Sequence, residues 1–372
     1  MKVSSVEAYR VDMPMKGYFK NASHNHNVQP CVLVRVRTNE GLEGFGDVEP
    51  FRGNSSAGRD ESADAIEGVL GPALLGADPR CAREALRRMA EAVSGFFEAK
   101  AALDIALADI HGKAVGSPLH ALLGGRVREE VFFNAWIGIK SPEEAAAEAL
   151  EFSQRGWVSC KVKAGGDIEL DAARVLAVRE AVGDAMDIRI DANESYARVE
   201  DAIAFASEVE EANPALFEQP VPRKNLDGLA RIRSSIGFPV MADECVYDHA
   251  SLLEIIRAEA ADIVKLKVMK QGGLIPTREM ASTAEAAGMR LVIGHGFGLT
   301  TYTLAEVHVA ATSSVFLPAI ESVGPEKMMD DVVDCPLDIG DGRVTVPMAP
   351  GLGVSFDEDK LEQYRAKSAA KV

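Results

Sequence analysis

The feature that most constrains this chain is an interval. Between Lys163 and Glu321, an ionisable residue closes one short apolar run after another: Lys163, Asp191, Glu218, Asp243, Lys267, His295 and Glu321. Successive members stand 28, 27, 25, 24, 28 and 26 residues apart. That is the length of a strand, a loop, a helix and a loop back. The intervening stretches, such as 167–182, 198–211 and 277–287, are rich in Ala, Glu, Arg and Leu, with apolar residues at helical spacing. Strands that alternate with such helices run parallel. An earlier run at 131–137, followed by a helix at 142–154, brings the strands to eight. The pattern predicts an α/β protein with a (β/α)8-type barrel, in which residues just past each strand gather at one mouth.

A barrel takes roughly 250 residues, and this chain has 372, so a second unit is expected. Residues 1–50 read as an antiparallel meander, with alternation at 3–11 and 31–38 and a turn at Asn39-Glu40-Gly41. Residues 60–125 read as helical, with an amphipathic helix at 99–115 carrying Leu103, Leu107 and Ile110 on one face. A further strand at 343–346 belongs to a tail that returns to the first unit. The division read is an α+β capping domain at 1–125, the barrel at 126–322 and a returning segment at 323–372. Two polar stretches, 16–30 with His24 and His26, and 49–62, read as lid loops over the mouth. The His-x-His pair has no third ligand beside it, so it reads as substrate contact or surface before metal.

A net charge of −17 argues against nucleic acid and anionic membranes as partners. No apolar run approaches the roughly 20 residues of a membrane helix, and the alternating N-terminus does not resemble a signal peptide. Five scattered cysteines without a CxxC pair read as reduced thiols of a cytoplasmic protein.

Asp191, Glu218 and Asp243 end three consecutive strands, which lie about 4.8 Å apart. Three carboxylates so placed can converge on one cation, and all-oxygen ligation favours Mg2+ or Mn2+ over zinc. Glu244 competes with Asp243, since adjacent residues point to opposite faces. Lys161 and Lys163 share a face, and Lys265 and Lys267 repeat the pattern across the ring. Lysines on both sides of a divalent cation suit abstraction of the proton α to a small substrate carboxylate, through a metal-stabilised enediolate. Return of the proton from the opposite lysine gives racemisation or epimerisation. Cycloisomerisation and β-elimination share the first step, and a metal-binding protein without turnover is the reading from another class.

These residues resemble the enolase superfamily over nearly the whole chain. The motifs are Lys161-Val162-Lys163, Asp191-Ala192-Asn193, Glu218-Gln219-Pro220, Ala242-Asp243-Glu244 and Lys267-Val268-Met269-Lys270-Gln271-Gly272-Gly273. The paired lysines are most similar to the muconate lactonizing enzyme-like subgroup, within the mandelate racemase/muconate lactonizing enzyme family. The resemblance implies Asp191, Glu218 and Asp243 as Mg2+ ligands, Lys163 and Lys267 as the acid/base pair, and Lys161 as a supporting charge. It also implies an isomerase, racemase or cycloisomerase, with a dehydratase (a lyase) as runner-up, and a homo-oligomer. The chain departs from the pattern at Cys245, where the subgroup has Ser. It departs again at Gly294-His295-Gly296, where a mandelate racemase-like enzyme carries a catalytic His. The Asp-x-Asp similar to dipeptide epimerases is replaced by Ala319-Ile320-Glu321, which argues against a dipeptide. His295, Glu321, Asn193, His24 and Trp136 are the expected substrate contacts, with a lysine as the other expected partner of Glu321 and a base or a structural residue as the other readings of His295.

Overall fold

The computed structural model describes residues 1–20, 25–51, 55–294 and 296–366. The chain begins with an antiparallel sheet of β1 (Val3–Lys20), β2 (Asn25–Thr38) and β3 (Glu43–Val48). The stretch at 16–30, expected as a loop, is largely strand. Pro14 pairs with Val28, and beyond a register shift Phe19 pairs with His26. Backbone pairing, which any residue type can supply, therefore carries this polar segment outward as a hairpin. His24 lies outside the described residues, as do 52–54 of the second expected lid.

The helix expected at 99–115 spans Phe97–Val115. It is not amphipathic: Ala99, Ala102, Leu103, Ile105, Ala106 and Ile110 are all buried, on more than one side. The small residues let β3 lie close, and a Cβ on Gly46 would sit 2.2 Å from the Ala102 carbonyl oxygen.

The first barrel strand breaks at Asn134 into β4 (Glu130–Phe133) and β5 (Ala135–Ile137). Then follow β6 (Ser159–Lys163), β7 (Asp187–Asp191), β8 (Leu216–Glu218), β9 (Val240–Ala242), β10 (Ile263–Leu266) and β11 (Arg290–Ile293). From β5 to β11 they form one parallel sheet in chain order. β12 (Ala319–Ile320) pairs in parallel with β4, and the same segment bonds β11 through Leu317 N to Leu291 O (2.7 Å) and Glu321 N to Ile293 O (2.9 Å). The eighth strand thus closes the ring.

The strands are short and nearly all buried, as expected of parallel strands covered on both faces. Several of their helices start at side-chain caps. Ser141 and Glu144 form a capping box for Pro142–Gln154, Asp167 accepts from Leu170 N, and Asn225 accepts from Gly228 N. These caps are not the carboxylates that end the strands, which leaves those free for chemistry.

The eighth βα unit departs from expectation. Only the short turn Gly324–Lys327 follows β12. The chain then returns through β13 (Arg343–Thr345), antiparallel to β4. The tail packs on the N-terminal region, with Leu352 N donating to Asp109 Oδ1 at 2.8 Å and Arg35 paired with Glu358. The capping domain also grips the barrel. Buried Asp47 accepts from Leu299 N (3.1 Å), Tyr302 N (2.7 Å) and the Thr301 hydroxyl, at the start of helix Thr300–Ala310. Carboxylate charge there complements the exposed N–H groups of the first turn. Glu49 likewise accepts from Phe297 N at 2.9 Å.

Candidate active site

Strand register sets the site. Lys163 pairs with Asp191, and Asp191 with Glu218, so three ionisable side chains stand in a row across β6, β7 and β8. Asp243 follows the end of β9, and Lys267 the end of β10. All lie at the carboxyl ends of the strands, beneath the β1–β2 hairpin. Lys163, Asp191, Glu218 and Asp243 are at most 2% exposed, and burial of so many charges is tolerable only with close pairing.

The pairing divides into two halves. On one side Lys163 Nζ donates to Asp191 Oδ2 at 2.5 Å and to Asn193 Oδ1 at 2.9 Å. On the other, Lys267 Nζ donates to Asp243 Oδ2 at 2.6 Å. Lys161 and Lys265 lie between and deeper. Lys161 contacts Glu218 Oε2 at 2.6 Å and Asp191 Oδ2 at 3.4 Å, and Lys265 contacts Glu218 Oε1 at 3.1 Å. Asn193, with φ of 44°, turns its amide to donate to Glu244 Oε1 at 3.0 Å. Asn193 thereby links Lys163 to Glu244 while lining the cavity.

Of the two places expected for Glu321, at the substrate or on a lysine, the structure shows the second. Glu321 is fully buried and does not line the cavity. Lys161, Lys265 (2.6 Å) and Arg189 (2.9 Å) enclose it. Three cations at hand hold it as a counterion for the deep lysines instead of a substrate contact. Trp136 does line the cavity, and its ring lies 4.6, 4.8 and 5.4 Å from the Nζ atoms of Lys161, Lys163 and Lys265. His295 lies outside the described residues.

The electrostatics differ between the halves. Burial lowers the Lys163 pKa, with Lys161 and Lys265 adding to the effect against the pull of Asp191. For Lys267 burial also acts downward, but Asp243 outweighs it and the value rises. Burial and then Asp191 push Glu218 up to about 8, despite its lysine contacts. Burial would raise Asp243 too, but Lys267, Lys270 and Lys265 hold it well below the usual carboxylate range. Lys270 stands in the 267–273 motif, but the sequence assigns it no role. Its Nζ contacts Asp243 Oδ1 at 3.2 Å and also bonds the Asp243 carbonyl, so it anchors that residue from behind. The only sequence signal was its place three residues after Lys267.

Among the described residues no three Asp, Glu, His or Cys side chains are gathered in coordinating geometry. The carboxylates are turned onto ammonium groups: Lys161 bridges Asp191 and Glu218, and Lys265 reaches Glu218 (3.1 Å) and Asp243 (3.9 Å). The donor set nevertheless fits a hard divalent cation. It is all oxygen, carried on adjacent strand ends, and burial followed by the charge of Asp191 holds Glu218 high. Glu244 Oε2 beside it is buried with no hydrogen-bond partner among the described residues.

Residues 144–360 match the family model "Enolase C-terminal domain-like", and residues 5–124 match "Mandelate racemase / muconate lactonizing enzyme, N-terminal domain". N-succinyl-L-Arg/Lys racemase of Bacillus cereus is 31% identical over 363 residues, covering 98% of each chain. Muconate cycloisomerase 1 of Rhodococcus opacus is 32% identical over 371 residues, again 98% of each. The crystal structure of the B. cereus N-succinyl Arg/Lys racemase superposes with a TM-score of 0.95 at 30% identity, over 99% of both chains.

Proposed function

This chain belongs to the mandelate racemase/muconate lactonizing enzyme family of the enolase superfamily, and we propose that it racemises or epimerises a small amino-acid-like carboxylate by two-lysine proton transfer. The observation that carries this reading is the placement of Lys163 and Lys267. Both line one cavity, on opposite flanks of the carboxylate row, each seated on a different carboxylate. A single base suffices for exchange. Two bases facing each other suit removal of a proton from one face of a carbon and delivery to the other.

Asp191, Glu218 and Asp243 would hold Mg2+, with Mn2+ as a substitute. When bound, the cation supplies positive charge opposite the substrate carboxylate as electron density builds there. The chain's own residues do the rest. One lysine takes the α-proton, and the other donates a proton from the opposite side. Asn193 keeps Lys163 aimed, Lys270 steadies Asp243, and Glu321 balances Lys161 and Lys265. The β1–β2 hairpin excludes water. Cycloisomerisation is the second reading, favoured by the like identity to a muconate cycloisomerase. We further place the enzyme in the cytoplasm as a homo-oligomer acting on a small carboxylate. All five cysteines are free, and among the described residues no helix is long and apolar enough to cross a membrane.

The test is α-proton exchange in D2O with Mg2+ over a panel of N-acylamino acids and other small carboxylates, read by mass. Exchange that needs the cation supports the reading. Ring formation without exchange favours the second reading, and inertness toward all compounds with and without Mg2+ sinks both.

A further inference from the structure

A second cavity lies away from the barrel mouth and shares no lining residue with the first. It measures ≈ 530 Å³, within the roughly 300–1,000 Å³ of small-molecule sites. The capping domain and the barrel both wall it. Helices Ala82–Ala92, Phe97–Val115 and Leu119–Leu122 come from the first, and the start of helix Leu274–Ala286 from the second. Arg83 of one wall pairs with Glu279 of another at 2.5 Å, which ties them together. Asp104, Ala108 and His111 stand at helical spacing along 97–115, so one helix face supplies all three to the lining. Leu119, Leu122 and Leu274 make the lining apolar around them.

The polar groups on that helix face are acceptors. Asp104 is 2% exposed. Leu274 N donates to its Oδ2 at 2.7 Å, and the hydrogen bonds among the described residues leave Oδ1 open. The bond from Leu274 N does not itself call for a charge, because a carboxamide would accept it without the cost of burying an anion. The chain nonetheless brings a carboxylate here and clears room for it. Gly273 has φ of +143°, and a Cβ there would sit 2.6 Å from Asp104 Oδ2. Burial pushes Asp104 up to about 7, and a cation on Oδ1 would offset that cost. Burial and Arg80 lower the pKa of His111, so its neutral ring keeps a nitrogen that accepts. The other charges of the lining are matched. Arg80 lies on Asp78 at 2.7 Å, Arg83 on Glu279, and Glu84 on Arg87 and Arg88.

We propose that this cavity is a second ligand site, one that takes a primary amine carried on an apolar body. The ammonium group sits on Asp104 Oδ1 with His111 beside it, and the body lies among Leu119, Leu122 and Leu274. Charge on a buried carboxylate orients the head, and the apolar walls supply affinity for the body. The site shares no residue with the proton-transfer machinery, so a cavity that binds nothing leaves the proton-transfer reading intact.

The test is calorimetric titration of the Mg2+-loaded protein with phenethylamine, phenethyl alcohol and hydrocinnamate, which share a phenylethyl body. The titrations are repeated with Ala108→Phe, which fills the cavity, and with Asp104→Asn, which keeps its shape and removes the charge. The amine should bind at least about tenfold more tightly than the alcohol or the acid. Ala108→Phe should abolish amine binding, and Asp104→Asn should bring the amine level with the alcohol. Circular dichroism checks that each variant is folded, and Leu122→Phe fills the same space from another wall if Ala108→Phe is not. Amine binding that survives the filled cavity lies elsewhere and overturns the proposal, as does an absence of amine binding. An amine preference unchanged in Asp104→Asn, or tighter binding of the acid in this cavity, overturns it too.

Discussion

Replacing Lys163 by Met separates the two halves of the site. The side chain is 2% exposed, and among the described residues its Nζ donates hydrogen bonds to Asp191 and Asn193. Breaking a buried ion pair commonly costs about 3–5 kcal/mol, because a naked charge remains. Here the remainder is not naked. Lys161 still reaches Asp191 at 3.4 Å after substitution, and Lys265 lies on the neighbouring Glu218. Stability should therefore fall by less than about 3 kcal/mol. The chemical effect should be large and one-sided. Loss of a general base costs roughly 10²- to 10⁴-fold, so exchange from one enantiomer should fall by that much. Exchange from the other, served by Lys267, should stay within about tenfold, since an intact base still faces it. Lys267→Met should reverse the pattern. Pure enantiomers in D2O with mass detection give the answer. Equal loss for both enantiomers in both variants would refute two opposed bases.

Three further outcomes are expected. Burial pushes Asp104 up to about 7 from an ordinary 3.8, so its contribution to stability is present below about pH 4 and is lost as pH rises through about 7. Asp104→Asn should flatten the fall of unfolding free energy between pH 4 and 7, by up to about 4 kcal/mol, in urea titrations across that range; parallel wild-type and variant profiles would contradict it. Glu321→Gln should lower stability by about 3–5 kcal/mol, measured by urea unfolding, because Lys161, Lys265 and Arg189 lose a shared counterion; an unchanged midpoint would show that the deep lysines are balanced elsewhere. Asp243→Asn should weaken Mg2+ binding in calorimetric titration by at least about tenfold, since affinity follows ligand charge, and unaltered affinity would remove Asp243 from the ligand set.

The barrel and the row of ionisable groups at its mouth are legible in the amino-acid pattern. A 24- to 28-residue interval repeats one local event, a strand feeding a helix, and local events are written in local pattern. Side-chain alternation likewise puts Lys161 with Lys163 and Lys265 with Lys267. Which partner each charge takes is set by the folded chain. Glu321 ends the eighth strand in the same phase as Asp191 and Glu218, yet ring closure delivers it to Lys161, Lys265 and Arg189 instead of the cavity. Lys270 reads as an ordinary helical lysine until the fold buries it against Asp243. The residues at 16–30 look like a polar loop because cross-strand backbone bonds leave no signature in residue type. Phe19, Trp136 and Phe297 are isolated rings in the sequence, more than a hundred residues apart from one another. They become one wall only when the hairpin, the first strand and the seventh meet above the lysines, because packing between distant segments obeys shape and burial and not sequence period.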